Sequence, residues 1–173
     1  MEGVVGAFVA AVLAFSAGFA PFEVRVKEYM ELRRDAERPV PALKNRSTPE
    51  QITAYEKALA AAIRKVRSNA RQGQIFVAEA APEFHRVVRA LARGPADATW
   101  RAIMESNPRE ATVGVNAPYP PGLPVSTVPP SLLLKLPQLP KELQYGFVGS
   151  NLILRDTKAN LILDYLPDVL PNR

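Results

Sequence analysis

Few residues of this chain could carry out acid–base chemistry. His85 is the only histidine, and a histidine that acts as a base normally needs a carboxylate to orient it and a nucleophile beside it. No serine lies in a nucleophile-elbow pattern, and no second histidine can share a metal ion. We therefore interpret His85 as a structural or solvated residue. The chain has no cysteine, which excludes disulfides, thiolate zinc sites, iron–sulfur clusters and cysteine nucleophiles.

Three aspartates near the C-terminus, Asp156, Asp164 and Asp168, could supply oxygen ligands to a metal ion. Their spacing does not match a calcium-binding loop, in which the ligands alternate around a glycine. Asp156 begins an Asp-Thr-Lys-Ala segment, where an aspartate accepts hydrogen bonds from the backbone of a turn. The sequence therefore predicts no metal ion, no cofactor, no catalytic residue and no enzymatic activity.

Basic side chains recur at helical spacing and form two stripes. Such stripes can bind phosphate or another polyanion, although a solvated helix face has the same pattern. The net charge of +5 permits contact with a membrane surface or an anionic polymer. Aromatic residues are not interleaved with the stripes, which argues against nucleic acid as the partner. The candidate anion-binding residues are Lys57, Arg64, Arg67 and Arg71 on one helix and Arg86, Arg89 and Arg93 on the next.

Apolar residues recur at helical spacing in the segments that contain the basic stripes and in the segments on either side of them. The clearest helix is Pro49–Gln72, for which Thr48 is the N-cap, Gln51 completes a capping box and Gly73 follows the end. Its apolar stripe is predicted to face inward and runs through Ile52, Tyr55, Leu59, Ile63, Val66 and Ala70. Three more helices are predicted at Pro21 to about Glu37, near Ala81–Arg93, and around Ala96–Glu105.

Proline divides the chain. Of 17 prolines, nine lie between Pro108 and Pro140. From Asn116 onward, proline interrupts every potential helix and most strand pairings, which predicts an extended arm with polyproline II character. Because this arm is rich in Leu and Val, we expect it to lie along the helical body or along a partner.

The C-terminal segment predicts a small antiparallel sheet. The predicted strands are Leu143–Val148, Asn151–Arg155 and Asn160–Tyr165. On the last two strands, the leucines at 152, 154, 161 and 163 should share one buried face, while Ile153 and Ile162 point to the other. The whole pattern predicts an α+β fold with a helical region (21–107), a proline-rich extended arm (108–140) and a β-hairpin region (141–173) packed on the helices.

Residues 1–20 form an export signal or a membrane anchor in this interpretation. No charged side chain occurs from Gly3 to Phe22. Ser16 and Gly18 are the small residues that cleavage after Gly18 requires, whereas cleavage after Ala20 places Pro21 directly beyond the cut. About 20 apolar residues at 1.5 Å each can also span a membrane, and a buried soluble helix is a third alternative. The lack of basic residues before the run weakens the export interpretation, which we nevertheless favour.

The order of apolar leader, capped alanine-rich helix, proline-rich arm and closing block resembles a group of small exported bacterial proteins without assigned function. The closing block that carries this resemblance consists of Tyr145-Gly146-Phe147-Val148-Gly149, Leu152-Ile153-Leu154-Arg155-Asp156 and Ala159-Asn160-Leu161-Ile162-Leu163-Asp164. The resemblance implies export and implies nothing about mechanism.

We therefore expect a non-catalytic bacterial cell-envelope protein, periplasmic or extracellular after export, that binds a protein partner through its proline-rich arm or its C-terminal hairpin. One alternative is an accessory subunit of a membrane complex, anchored by Gly3–Phe22. A second alternative is a small hydrolase whose site combines His85 with distant carboxylates.

Overall fold

The computed structural model describes residues 17–92, 100, 113–123 and 128–170. Helices occupy the N-terminal half and a three-stranded antiparallel sheet forms the C-terminus, so the predicted α+β class is confirmed. The elements are α1 (Ala20–Glu37), α2 (Pro49–Val66), α3 (Ala81–Ala92), α4 (Pro130–Leu133), β1 (Leu143–Val148), β2 (Asn151–Asp156) and β3 (Leu161–Leu166).

Helix α1 matches the predicted helix and begins one residue before Pro21. Phe19 is its N-cap, and the Phe19 carbonyl accepts a hydrogen bond from the Glu23 N–H at 3.1 Å. One face of α1 is buried and packs against α2 and the rest of the core. That face includes a charged residue, Arg33, which is only 3% exposed. A buried arginine requires partners from elsewhere in the fold.

Helix α2 begins as predicted. The Gln51 N–H donates to the Thr48 hydroxyl, and the Thr48 N–H donates to the Gln51 side-chain carbonyl, which completes the capping box. The predicted end at Gln72 is wrong, because α2 stops at Val66. Arg67 no longer has helical backbone angles, with φ of −110° and ψ of 31°. Its side chain points into the protein and binds residues that are distant in sequence.

Two residues of the predicted apolar stripe of α2 do not face the core. Ile52 is 48% exposed and Val66 is 50% exposed, whereas Leu59 and Ile63 are fully buried. The inward prediction is therefore wrong at the two ends of the helix and confirmed in its middle.

The third helix is confirmed as α3, with Phe84, Val87 and Val88 buried. Arg93 and the predicted helix at Ala96–Glu105 lie outside the described residues, except for Trp100. The Trp100 side chain is buried, and its ring centroid lies 5.9 Å from that of Phe147 on β1.

Aromatic rings join α1, α3 and the segment between α2 and α3. The centroids of Phe22, Phe76 and Phe84 lie 4.9–5.2 Å apart. Phe19 adds an edge-to-face contact with Phe84 at 4.8 Å. Such pairs stabilise a core beyond the burial of their surface.

The three strands pair in the order β1-β2-β3, with a bulge between Leu154 and Arg155. The main core contains the four leucines at 152, 154, 161 and 163, together with Leu59 and Ile63 of α2. Ile153 and Ile162 lie in a second, smaller cluster with Val148 and Tyr119. The predicted division of the hairpin into a leucine face and an isoleucine face is confirmed.

Part of the proline-rich segment lies along the outer edge of β3. Pro118 forms a bridge with Leu161, and Ile162 exchanges backbone hydrogen bonds of 2.8 Å with Asn116 and Ala117. These bonds cover an edge strand that would otherwise present free N–H and C=O groups. Further along, the prediction that proline interrupts every helix is wrong at α4. Pro130 lies in the first turn of this helix, where a backbone N–H would have no partner within the helix, so proline is tolerated there.

Within the ranges described above, no helix is both long and apolar enough to cross a membrane. The predicted span Gly3–Phe22 lies mostly outside those ranges, and only its last residues are described. Phe19 is 4% exposed and Phe22 is fully buried in the aromatic core. These two residues belong to the folded body, and the export signal or membrane anchor stays a prediction.

Candidate functional site

The first predicted basic stripe is not a continuous surface. Arg67 is 8% exposed and donates to the Asn116 side-chain carbonyl at 3.1 Å and to the Leu163 backbone carbonyl at 3.0 Å. Its guanidinium also lies over the Tyr29 ring, 5.4 Å from the centroid. Burial lowers the pKa of Arg67. The placement of Arg67 on an exposed helix face is wrong, because this side chain holds the proline-rich segment and β3 against α2.

Several other basic residues also have partners within the chain. Arg64 donates to the Asn116 carbonyl at 2.9 Å, Arg89 donates to the Asp168 carbonyl at 3.2 Å, and Arg86 pairs with Glu83. Lys57 and Arg71 are exposed, but Arg71 lies beyond the end of α2 and not on the same helix as Lys57. Anion binding at the exposed members stays a prediction.

His85 lies half-buried on α3. Burial lowers the pKa of His85, and Arg89 lowers it further, while Asp168 opposes the shift. Its Nδ1 atom is buried and has no hydrogen-bond partner among the described residues. Nothing in that part of the chain orients the imidazole as a triad carboxylate would.

The three C-terminal aspartates do not converge. Among the described residues, no three His, Asp or Glu side chains are placed to hold a metal ion. Asp168 is exposed, has φ of 52° and accepts a hydrogen bond from the Ser150 hydroxyl at 3.2 Å. Asp156 and Asp164 are both 0% exposed, and each binds its own set of donors.

Asp164 binds the segment between α2 and α3 to β3. One carboxylate oxygen accepts the N–H groups of Gly73 and Tyr165 at 2.9 and 2.8 Å. The other accepts the N–H groups of Ile75 and Phe76 at 2.7 and 2.9 Å. Gly73 has φ of 85°, a conformation that L side chains rarely adopt. Asp164 thereby fixes the turn that delivers Ile75 and Phe76 to the core.

Asp156 joins the turn between β2 and β3 to α1. One carboxylate oxygen accepts the N–H groups of Lys158 and Ala159 at 3.0 Å, which confirms the predicted turn interaction. The other oxygen accepts the Tyr29 hydroxyl at 2.8 Å and the Arg33 Nε at 2.7 Å. Burial and the Asp156 charge raise the pKa of Tyr29. Although burial alone would lower the pKa of Arg33, Asp156 and Glu37 raise it above its ordinary value.

The Asp156 network continues to the surface through Glu37 and Tyr55. Arg33 pairs with Glu37 at 2.5 Å, and the Tyr55 hydroxyl donates to the other Glu37 oxygen. Burial alone would raise the pKa of Glu37, but Tyr55 and Arg33 outweigh it and the pKa is lowered. Burial and Glu37 raise the pKa of Tyr55 to about 12. Glu37 is therefore ionised and Tyr55 protonated near neutral pH.

Glu37 and Tyr55 line an open cleft of about 610 Å³, which we call the loop cleft. It lies between residues 38–43 after α1, the first turns of α2, and the turn that carries Lys158. Its apolar wall consists of Val40, Leu43 and Ile52, of which Leu43 is 41% and Ile52 48% exposed. The arrangement offers an apolar contact surface next to a tyrosine, with charges at its rim.

Our sequence interpretation missed the loop cleft because it placed Ile52 in the core. A signal was present in the segment Arg38-Pro39-Val40-Pro41-Ala42-Leu43. Prolines restrict this loop while Val40 and Leu43 remain apolar, a combination that a merely solvated connection does not need.

The chain was compared with protein families, curated proteins and solved structures. No protein-family model matches the chain, and neither a curated protein nor a solved structure matches it.

Proposed function

We propose that this chain is a non-catalytic bacterial cell-envelope protein that binds a protein partner at the loop cleft. The observation that supports this proposal is the pair of exposed apolar side chains, Leu43 and Ile52, in one cleft with Tyr55. Protein interfaces combine an apolar centre, aromatic residues and a polar rim. Arg38, Glu56 and Lys158 supply the rim here.

The chemistry of the buried polar groups supports a binding role over a hydrolase. All four carboxylate oxygens of Asp156 and Asp164 accept two hydrogen bonds each from the protein. Such carboxylates hold the fold together and have little capacity left for a substrate or a water nucleophile. Neither contributes to the loop cleft.

The loop cleft is a better site for the partner than the arm or the hairpin, which the sequence favoured. Residues 116–118 of the arm already pair with β3, and the Tyr119 N–H donates to the Asn160 carbonyl just before it. Both apolar faces of the hairpin are covered within the chain, since Leu154 is 0% and Ile153 is 1% exposed. A partner at those positions would have to displace these contacts. Leu133 and Leu134 of the arm are also exposed, at 48% and 88%, but they do not line the loop cleft, where Leu43 and Ile52 share one concave surface with Tyr55.

We place the protein in the periplasm or outside the cell after export, on the basis of the apolar N-terminal sequence and the resemblance stated above. The alternative, an accessory subunit anchored by Gly3–Phe22, conflicts with the burial of Phe19 and Phe22 in the core. The sixteen residues from 3 to 18 would extend about 24 Å as a helix, less than the roughly 30 Å of a hydrocarbon core.

Cross-linking of the full chain in living bacteria tests this proposal. Leu43→Glu and Ile52→Glu should abolish a specific cross-linked adduct, because a buried charge without a partner opposes binding. Ala61→Glu is the matched control, since Ala61 is an exposed residue of α2 outside the loop cleft. All three variants should melt like the wild type. An adduct that persists in both cleft variants, or the absence of any adduct, would contradict the proposal, and an adduct of twice the chain mass would indicate self-association instead.

A further inference from the structure

The folded body of the described residues begins at Phe19. The Phe19 side chain is 4% exposed, and its ring meets Phe84 edge to face at 4.8 Å. Its carbonyl accepts the hydrogen bond from the Glu23 N–H at 3.1 Å, the first hydrogen bond of α1. Phe19 therefore contributes both a core side chain and the cap of a helix.

The two residues before Phe19 have a different environment. Ala17 is exposed, and Gly18 lies against Glu83. A Cβ atom at position 18 would lie 2.9 Å from Glu83 Cγ and 3.2 Å from Glu83 Cβ, so a larger residue there would require the Glu83 side chain to move. A bacterial signal peptidase also requires a small residue directly before its cut and another two positions earlier. Gly18 and Ser16 satisfy that requirement for a cut before Phe19.

A cut after Ala20 would damage the fold. It would remove the Phe19 ring from the aromatic core and the Phe19 carbonyl from the first hydrogen bond of α1. Loss of a buried phenylalanine side chain is among the costliest core changes. A cut after Gly18 removes neither group.

We infer that the Gly18–Phe19 peptide bond is a processing site for a signal peptidase, and that the mature protein begins with Phe19. This inference rests on the export proposed above. Water supplies the hydroxyl that converts the Gly18 carbonyl to a carboxyl group, and the Phe19 nitrogen takes the proton to become an amine. The new ammonium group forms at the N-terminus of α1, where a positive charge is unfavourable. The Glu83 side chain lies against Gly18, and its carboxylate is already paired with Arg86.

The full chain, expressed in a bacterium with a C-terminal tag and isolated from the envelope or the medium, tests this inference by N-terminal sequencing and intact mass. The expected result is loss of residues 1–18 and a start at Phe19. A start at Pro21, or at any other residue, overturns the processing site. A chain that retains Met1 also overturns it, and its location then decides the separate proposal: envelope localisation would keep the proposed function, and cytoplasmic localisation would contradict it.

Two leucine variants form a matched pair for the same experiment. Gly18→Leu should cause loss of the processed form, because leucine then stands directly before the cut. Ala20→Leu should be processed like the wild type, because Ala20 is exposed and lies beyond the cut. The reverse outcome, with processing lost only in Ala20→Leu, would assign the cut to the Ala20–Pro21 bond and overturn the inference.

Discussion

Asp164 and Asp156 have equal burial but different donors. Asp164 accepts four hydrogen bonds, all from backbone N–H groups. Asp156 accepts two from the backbone and two from Tyr29 and Arg33. A buried carboxylate needs an opposite charge or several hydrogen bonds. Asp156 combines backbone donors with a directly bonded guanidinium, whereas the direct donors of Asp164 are all backbone N–H groups.

The two solutions have different structural consequences. The donors of Asp164 come from residues 73–76 and from Tyr165 itself, so this carboxylate fixes a backbone turn against β3. The side-chain donors of Asp156 come from α1, so this carboxylate holds a helix against the β2–β3 turn. We expect replacement of Asp164 to be the more disruptive change, because no alternative group can satisfy fixed backbone donors.

Asp164→Asn should lower the free energy of unfolding by about 3–5 kcal/mol, because an amide group replaces one acceptor oxygen and faces two N–H donors. Urea denaturation of the full chain measures this. Asp168→Asn is the matched control: Asp168 is exposed with φ of 52°, which asparagine tolerates, and the change should stay within about 0.5 kcal/mol. Equal stability of the two variants would show that the Asp164 bonds are replaceable.

Asp156→Asn should cost slightly less, about 2–4 kcal/mol, because Arg33 keeps Glu37 as a partner. A double-mutant cycle with Arg33→Met isolates the charge pair. Asp156→Asn should cost at least about 1 kcal/mol less in the Arg33→Met background, since the pair between the Arg33 Nε and the Asp156 carboxylate is then already absent. Additive effects would mean that Asp156 acts mainly through its turn and not through Arg33.

The sequence predicted the elements better than it predicted these two networks. Period and capping residues are local, so the start of α2 at Thr48 and the alternation of the hairpin leucines could be predicted correctly. Arg67 could not, because its inward position depends on Asn116 and Leu163, which are 49 and 96 residues away in the chain. The apolar period through Ala70 gave no indication that the helix stops at Val66.

The hydrogen-bond partners of Asp164 could not be predicted from the sequence either, although the neighbouring residues indicated that its carboxylate is buried. Asp164 follows Leu161-Ile162-Leu163, a strand that is apolar on both faces. A carboxylate in such a strand must have buried donors, but the identity of those donors depends on the tertiary position of Gly73. The loop cleft was missed for a similar reason, since the exposure of Ile52 depends on how residues 38–43 pack beside α2.

Tyr29→Phe tests the hydrogen bond from the Tyr29 hydroxyl to Asp156, which we expect to contribute less than the pair with Arg33. It should cost about 2 kcal/mol, because hydrogen bonds to a charged group are worth more than neutral ones. Tyr145→Phe is the matched control: this buried hydroxyl donates to the neutral Pro137 carbonyl at 3.3 Å, so its loss should cost about 1 kcal/mol or less. Thermal unfolding of the two variants measures the difference, and a larger effect at Tyr145 would contradict the importance of the Asp156 charge.

The smallest effect should be a dependence of the free energy of unfolding on pH. It arises from the titration of Glu37, which belongs to the Asp156 network through Arg33. Tyr55 and Arg33 outweigh the burial of Glu37 and hold its pKa below the ordinary value. A lowered pKa means that the folded state prefers the ionised form, so this stabilisation is present above the ordinary pKa of about 4.3 and is lost as the pH falls through the lowered pKa. His85 adds a separate loss below about 6.5, because burial and Arg89 lower its pKa as well.

Urea unfolding between pH 7 and pH 3 separates these two groups. The wild type should be more stable than Glu37→Gln at pH 7, and this advantage should shrink as the pH falls below about 4.3 and Glu37 becomes protonated. His85→Gln should instead flatten the slope between pH 7 and pH 5 and leave the acidic step in place. Because Asp164 bonds only to backbone N–H groups, Asp164→Asn should shift the whole profile downward and keep the Glu37 step. If that step vanished in Asp164→Asn, the two carboxylates would belong to one coupled network and not to two independent ones.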